Sequence, residues 1–139
     1  MGQFLGYLIG NGLLFSLAVH AIRLMLLSRA MEVAGTKTVG VIIKRTPAFT
    51  NGRSYKIKIS FLTASGEAMS GYPKNFIPRD ISFSNGNNVG KTAHIIYDPR
   101  DPKSFIIDNM YEKYVSPLFM LIPALAFIGI TTYFMLFKR

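Results

Sequence analysis

The sequence predicts two transmembrane helices flanking a small antiparallel β-barrel or sandwich domain. Three observations carry this. Gly2–Leu27 and Val115–Phe137 are almost wholly apolar, while the stretch between them is ordinary globular sequence. Within that stretch, Tyr55-Lys56-Ile57-Lys58-Ile59-Ser60-Phe61 alternates strictly, as a half-buried antiparallel strand does. Finally, Val89–Asp108 places two β-rich runs, Thr92–Tyr97 and Ser104–Ile107, around the turn Asp98-Pro99-Arg100-Asp101-Pro102. Two prolines so close fix φ at both and remove two N–H donors, so neither a helix nor a central strand runs through. The expected boundaries are 1–28 for the first helix, 29–113 for the β domain, and 114–139 for the second helix with a short basic tail.

The chain has 139 residues, half of them apolar, with a mean hydropathy of +0.29. It contains no cysteine, which excludes disulfides, thiolate metal sites and cysteine catalysis and suits either side of a membrane. Sixteen Lys and Arg stand against 7 Asp and Glu. All seven acids and thirteen of the bases lie from Arg29 to Lys113, leaving that segment at +6. Such a face beside a membrane reads as attraction to anionic headgroups. Nucleic-acid binding is disfavoured, since no recognition motif accompanies the charge.

Phe4–Leu27 gives about 24 residues, and about 20 cross the hydrocarbon core. A signal peptide is the poorer reading, because no Lys or Arg precedes the run and the run is too long. Myristoylation is rejected because Gly6 stands where Ser or Thr is needed. Gly2, Gly6 and Gly10 recur every fourth residue and share a face with Leu13, Ser16, Leu17 and His20. Small residues so spaced admit a close helix neighbour in lipid, so Gly6, Gly10, Ser16 and His20 are helix-packing candidates, toward the second span or another protein. His20 and Arg23 come late enough in the run to reach the interface as anchors.

Ser28–Thr36 reads as a connector, followed by a strand over Lys37–Lys44 with Val39, Val41 and Ile43 on one face. Asn51-Gly52 supplies turn chemistry before the alternating strand, on whose outer face Lys56 and Lys58 stand. With Lys44 they form the candidate basic face, either a solvated guard against edge pairing or an anion-binding surface. Ala64-Ser65-Gly66-Glu67 turns into a short strand over Ala68–Gly71, and a weak strand broken by Pro78 lies around Asn75–Phe83. Ser84–Asn88 is a polar loop. In the final hairpin Ala93, Ile95, Tyr97, Phe105 and Ile107 are core candidates. Ser116-Pro117 reads as the start of the second helix, with Pro123 as its kink. Gly129, Thr131 and Thr132 are its packing or hydrogen-bonding positions, and Tyr114 and Tyr133 its interfacial aromatics.

Taken together, Val89-Gly90-Lys91, Ile95-Ile96-Tyr97-Asp98-Pro99, Asp101-Pro102 and Phe105-Ile106-Ile107-Asp108 form a pattern. It resembles the bacterial membrane proteins catalogued as domain of unknown function 3592. Gly40-Val41, Tyr55 to Phe61 and Thr63 to Gly66 match as well, so the resemblance covers nearly the whole chain. It implies a β domain between membrane helices and a bacterial cytoplasmic membrane, and no particular chemistry. Tyr97, Asp98, Pro99, Asp101 and Pro102 are its turn motif.

Chemistry is sparse. His20 and His94 have no partner at ligand spacing, so neither a metal nor another cofactor is expected. The run to Gly90-Lys91-Thr92 fails as a phosphate loop, since Asn85 stands where glycine is needed and a strand follows. Asp98 and Asp101 precede prolines and suit turn capping better than acid–base work, and an enzyme would need them to converge with His94 in a cleft. The expectation is a non-catalytic membrane protein whose β domain is an interaction module, as an accessory subunit, assembly factor or immunity-type protein. A lipid-headgroup-binding surface is the alternative. The partners expected are the bilayer, another membrane protein and possible anionic lipid. Arg29, Lys37, Arg100, Lys103 and Lys113 on the loop side outnumber Lys138 and Arg139, which favours a cytoplasmic β domain. Against this, a loop of about 87 residues exceeds the roughly 60 over which such charge counts decide orientation.

Overall fold

In the computed structural model, residues 2–48, 54–80 and 88–137 are described. The Asn51-Gly52 turn, most of the Ser84–Asn88 loop and the Lys138-Arg139 tail lie outside them. The order is α1 (Gly2–Ala34), β1 (Thr36–Pro47), β2 (Ser54–Leu62), β3 (Ala68–Gly71), β4 (Arg79–Asp80), β5 (Thr92–Asp98), β6 (Asp101–Ile107), a π-helical turn (Tyr111–Val115) and α2 (Ser116–Phe137). Two helices long and apolar enough to cross a membrane thus flank a curled antiparallel sheet.

α1 is longer than the first apolar run. The expected connector at Ser28–Thr36 is helical as far as Ala34, because nothing before Gly35 breaks it. At 1.5 Å per residue its 33 residues span about 50 Å, against about 30 Å of hydrocarbon. Its last turns lie on the sheet: Met31 is buried with Ile96 and Ile106, and Leu27 packs beside them.

The sheet runs β3-β2-β1-β5-β6, with β4 beside β2. Its inner face holds Ile42, Tyr55, Ile57, Ile59, Phe61, Ile95, Tyr97, Phe105 and Ile107, together with Phe76. The alternation of β2 is therefore realised with Tyr55, Ile57, Ile59 and Phe61 inward. In β1 the three β-branched residues share one face, as expected, and it is the outer one. Gly40 and Ile42 are buried, whereas Val39, Val41 and Ile43 point outward and are 50%, 40% and 44% exposed. Gly40 is inward because the sheet is tight there: a Cβ would come within 2.5 Å of the Ile59 methyl and 3.0 Å of the Ser60 carbonyl.

The curl brings β3 and β6 close, and the segment after β3 bridges the remaining gap. Lys74 N–H donates to the Phe105 carbonyl (2.9 Å). The buried Asn75 amide accepts from Ile107 N–H (2.8 Å) and donates to Ile107 C=O (2.9 Å). Of the weak strand expected over Asn75–Phe83, the described part, Asn75–Asp80, is extended only at β4, Ile81–Phe83 lie outside the described residues, and Asn75 acts as a side-chain strand partner.

The chain turns helical before α2, at the π turn, earlier than the start expected at Ser116. Ser116 is already helical and caps nothing; Asn109 Oδ1 accepts the Glu112 N–H (2.7 Å) instead. Pro117 lacks an N–H and its ring crowds the carbonyl four residues back. The preceding turn opens to π geometry, with Ser116 N–H reaching the Tyr111 carbonyl. α1 and α2 pair through a stripe of mostly small residues: Ala18, Ala21, Leu24 and Ser28 on α1, and Pro117 and Ala124 on α2, are buried. Farther along, Thr131 Oγ1 donates to Asn11 Oδ1 (3.1 Å).

Candidate functional site

Three features meet where α1 leaves the helix pair and enters the sheet. The first is an ionic cluster. Lys113, carried on the π turn, is 8% exposed and stands between two carboxylates, hydrogen-bonded to Glu32 of α1 and to Asp108 Oδ1 (2.8 Å) after β6. Tyr114 donates its hydroxyl to Glu32 Oε2 (2.6 Å). Lys37 at the start of β1 reaches Asp108 Oδ2 (3.4 Å), and Arg29 lies 3.9 Å from Glu32. Lys113 and, more weakly, Lys37 hold the Asp108 carboxyl below its ordinary value, against the opposing effect of burial. Chemically the cluster is saturated: each carboxylate faces cations, so it ties α1, β6 and α2 together.

The second feature is a groove of about 380 Å³ between α1 and the β5–β6 turn. Leu27, Ala30, Met31, Ala34 and Gly35 form one side; Asp98, Pro99, Arg100 and Ser104 form the other. Asp98 Oδ1 accepts the Arg100 N–H (2.9 Å), the capping expected of an aspartate before proline. Pro102 lies in β6, where Lys74 and Asn75 reach only Phe105 and Ile107, so its missing donor is tolerated at the strand's outer end. Asp101 pairs with Asp98 across the turn. Tyr97 faces away from the groove into the core, where its hydroxyl accepts the Ala64 N–H (2.9 Å) and its ring stacks 5.5 Å from Phe61.

The third feature is the uncovered half of the outer sheet face. α1 covers Ile96 and Ile106, while Val39, Val41 and Leu62, the last 60% exposed, lie bare beside it. Lys44 and Lys58 pair directly farther along the same strands, and Lys56 pairs with Thr46. The basic candidates therefore cluster on one patch, toward the end of the sheet away from α1.

The remaining candidates are dispersed. Ser16 and His20 are exposed on α1. A Cβ at Gly6 or Gly10 would meet nothing within 4 Å, so these two glycines do not dock on α2; the alanines at 18 and 21 serve that contact instead. Nor does Gly129 have a close neighbour, whereas Thr131 bonds across the pair. His94, Asp98 and Asp101 do not form a cleft. His94 sits four residues from Asp98, about 13 Å along an extended strand, with the covered Ile96 between them. Among the described residues no group of three or more His, Asp or Glu gathers as a metal site.

Glu32, Asp108 and Lys113 were not evident as a site in the sequence. Glu32, the lone acid of α1 and placed on its last turn, was the available signal. None of the known family models, curated proteins or solved structures matches the chain.

Proposed function

We propose that this is a non-catalytic two-pass membrane protein whose β domain acts as a protein-interaction module, held rigidly at the membrane by the helix pair. The observation that carries this reading is the bare strip of Val39, Val41 and Leu62. Isolated exposed apolar residues need no explanation, but adjoining ones on the centre of a sheet face do. The adjoining half of the same face already seats a helix, α1, on Ile96 and Ile106. A partner element covering the second half would complete the layer. Kinship with the membrane proteins of domain of unknown function 3592, a bacterial cytoplasmic membrane and a cytoplasmic β domain belong to the same proposal.

The test is photocrosslinking in native membranes, with the photoreactive residue at Val41 or Leu62 and a control at Lys56. A discrete adduct at the first two positions that Val39→Asp abolishes supports the reading. Equal adducts at all three positions, or none, would refute it.

The second reading, contact with lipid headgroups, is favoured by the groove that brings Arg100 to the base of α1. Raised salt separates the two, since headgroup attraction is screened far more than a packed protein contact.

A further inference from the structure

We propose that the groove between α1 and the β5–β6 turn binds the headgroup of a zwitterionic amino-phospholipid, with its phosphate on Arg100 and its ammonium on Asp98. This deepens the lipid-contact reading and rests on the chain lying in a membrane. The groove's volume, about 380 Å³, falls within the range of small-molecule sites, about 300–1,000 Å³.

Its two sides have different chemistry. The α1 side is apolar, through Leu27, Ala30, Met31 and Ala34. It continues along the helix into exposed apolar surface, because Ile22 and Leu26 precede Ala30 at four-residue steps. Acyl chains lying on Ile22 and Leu26 would deliver a headgroup to the groove. The other side holds one cation and one anion on the same turn. The Asp98–Arg100 backbone bond fixes the turn and occupies only one carboxylate oxygen. Neither the Arg100 guanidinium nor the second Asp98 oxygen has a partner among the described residues.

A guanidinium presents a planar fork that fits phosphate oxygens. An ionised aspartate accepts hydrogen bonds and donates none, so it favours an ammonium that carries N–H groups. A primary amine satisfies it; a trimethylated amine offers no N–H donor, and a glycerol headgroup offers no cation. The charge pair thus selects phosphatidylethanolamine over phosphatidylcholine and phosphatidylglycerol. Ser104 adds a hydroxyl to the same side.

The experiment uses the full-length chain in detergent, equilibrated with these three lipids at matched acyl chains and read by native mass spectrometry. Phosphatidylethanolamine should be retained about tenfold over the other two, a difference of about 1.4 kcal/mol. Arg100→Gln should reduce its retention to the level of the others. Asp98→Asn keeps an acceptor for the Arg100 N–H, so the turn stays while the preference over phosphatidylcholine disappears. Ala30→Trp, at an exposed helix position, should fill the groove and abolish retention. Equal retention of the three lipids, or selectivity that survives both Arg100→Gln and Ala30→Trp, overturns the proposal. Flotation with vesicles is scored separately. A chain that floats without selective retention refutes the groove, and one that retains the lipid but does not float refutes the membrane reading.

Discussion

The side chain of Asn75 exchanges two hydrogen bonds with the backbone of Ile107, accepting its N–H at 2.8 Å and donating to its carbonyl at 2.9 Å. One amide thus does the work of a strand residue along β6. Without it, two buried backbone groups would be unpaired where the curl of the sheet nearly closes. Asn75→Ala should therefore cost about 3 kcal/mol, close to the penalty for leaving both groups unsatisfied. Thermal unfolding of the full chain in detergent measures this. An unchanged midpoint would mean that water replaces the amide.

Tyr97 offers a graded test. Tyr97→Phe keeps the ring in the core and removes only the acceptor for the Ala64 N–H, a loss of about 1 kcal/mol. Tyr97→Ala also empties the space against Phe61 and should cost about 3 kcal/mol. Equal effects of the two substitutions would show that the hydroxyl, rather than the ring, is what the core needs.

The ionic cluster predicts a pH dependence with a definite sign. Asp108 is held below its unfolded value, about 3.9, by Lys113. Its contribution is therefore complete above that value and is lost as pH falls through the lower, folded one. Stability should drop in that acidic window, and Asp108→Asn should reduce the drop. Lys113→Met at neutral pH should destabilise by about 3 kcal/mol, because it leaves Glu32 and Asp108 without their shared partner.

The helix pair separates two kinds of small residue. Ala21→Leu should force α1 from α2, since Ala21 is fully buried in their contact. Gly6→Leu and Gly10→Leu should leave the isolated chain's stability nearly unchanged, because open space surrounds both positions. If the glycine face serves another protein, the double substitution will weaken assembly alone. Blue-native electrophoresis beside thermal unfolding distinguishes these outcomes.

Orientation can be read from single cysteines at Ser65 and Lys103, both exposed, in a chain that otherwise has none. A cytoplasmic β domain predicts labelling by an impermeant maleimide only after the membrane is opened. Labelling of both sites in sealed spheroplasts would place the domain outside.

Much of the architecture is local in origin and so was legible in the chain. The apolar runs mark the helices, the alternation from Tyr55 to Phe61 sets the faces of β2, and the prolines around Arg100 set the β5–β6 hairpin. Each signal comes from residues within a few positions of one another. What depended on distant segments was not legible. The apolar parity of β1 favours Val39, Val41 and Ile43, yet Gly40 and Ile42 face inward because Ile59 and Phe61 already occupy that side. Lys113 finds Glu32 from 81 positions away, and Thr131 finds Asn11 from 120. α1 pairs through alanines rather than its more conspicuous glycines, since the position of α2 decides which face is buried. Periodicity reports a residue's direction within its own element; which direction becomes the interior is set by the element that packs there.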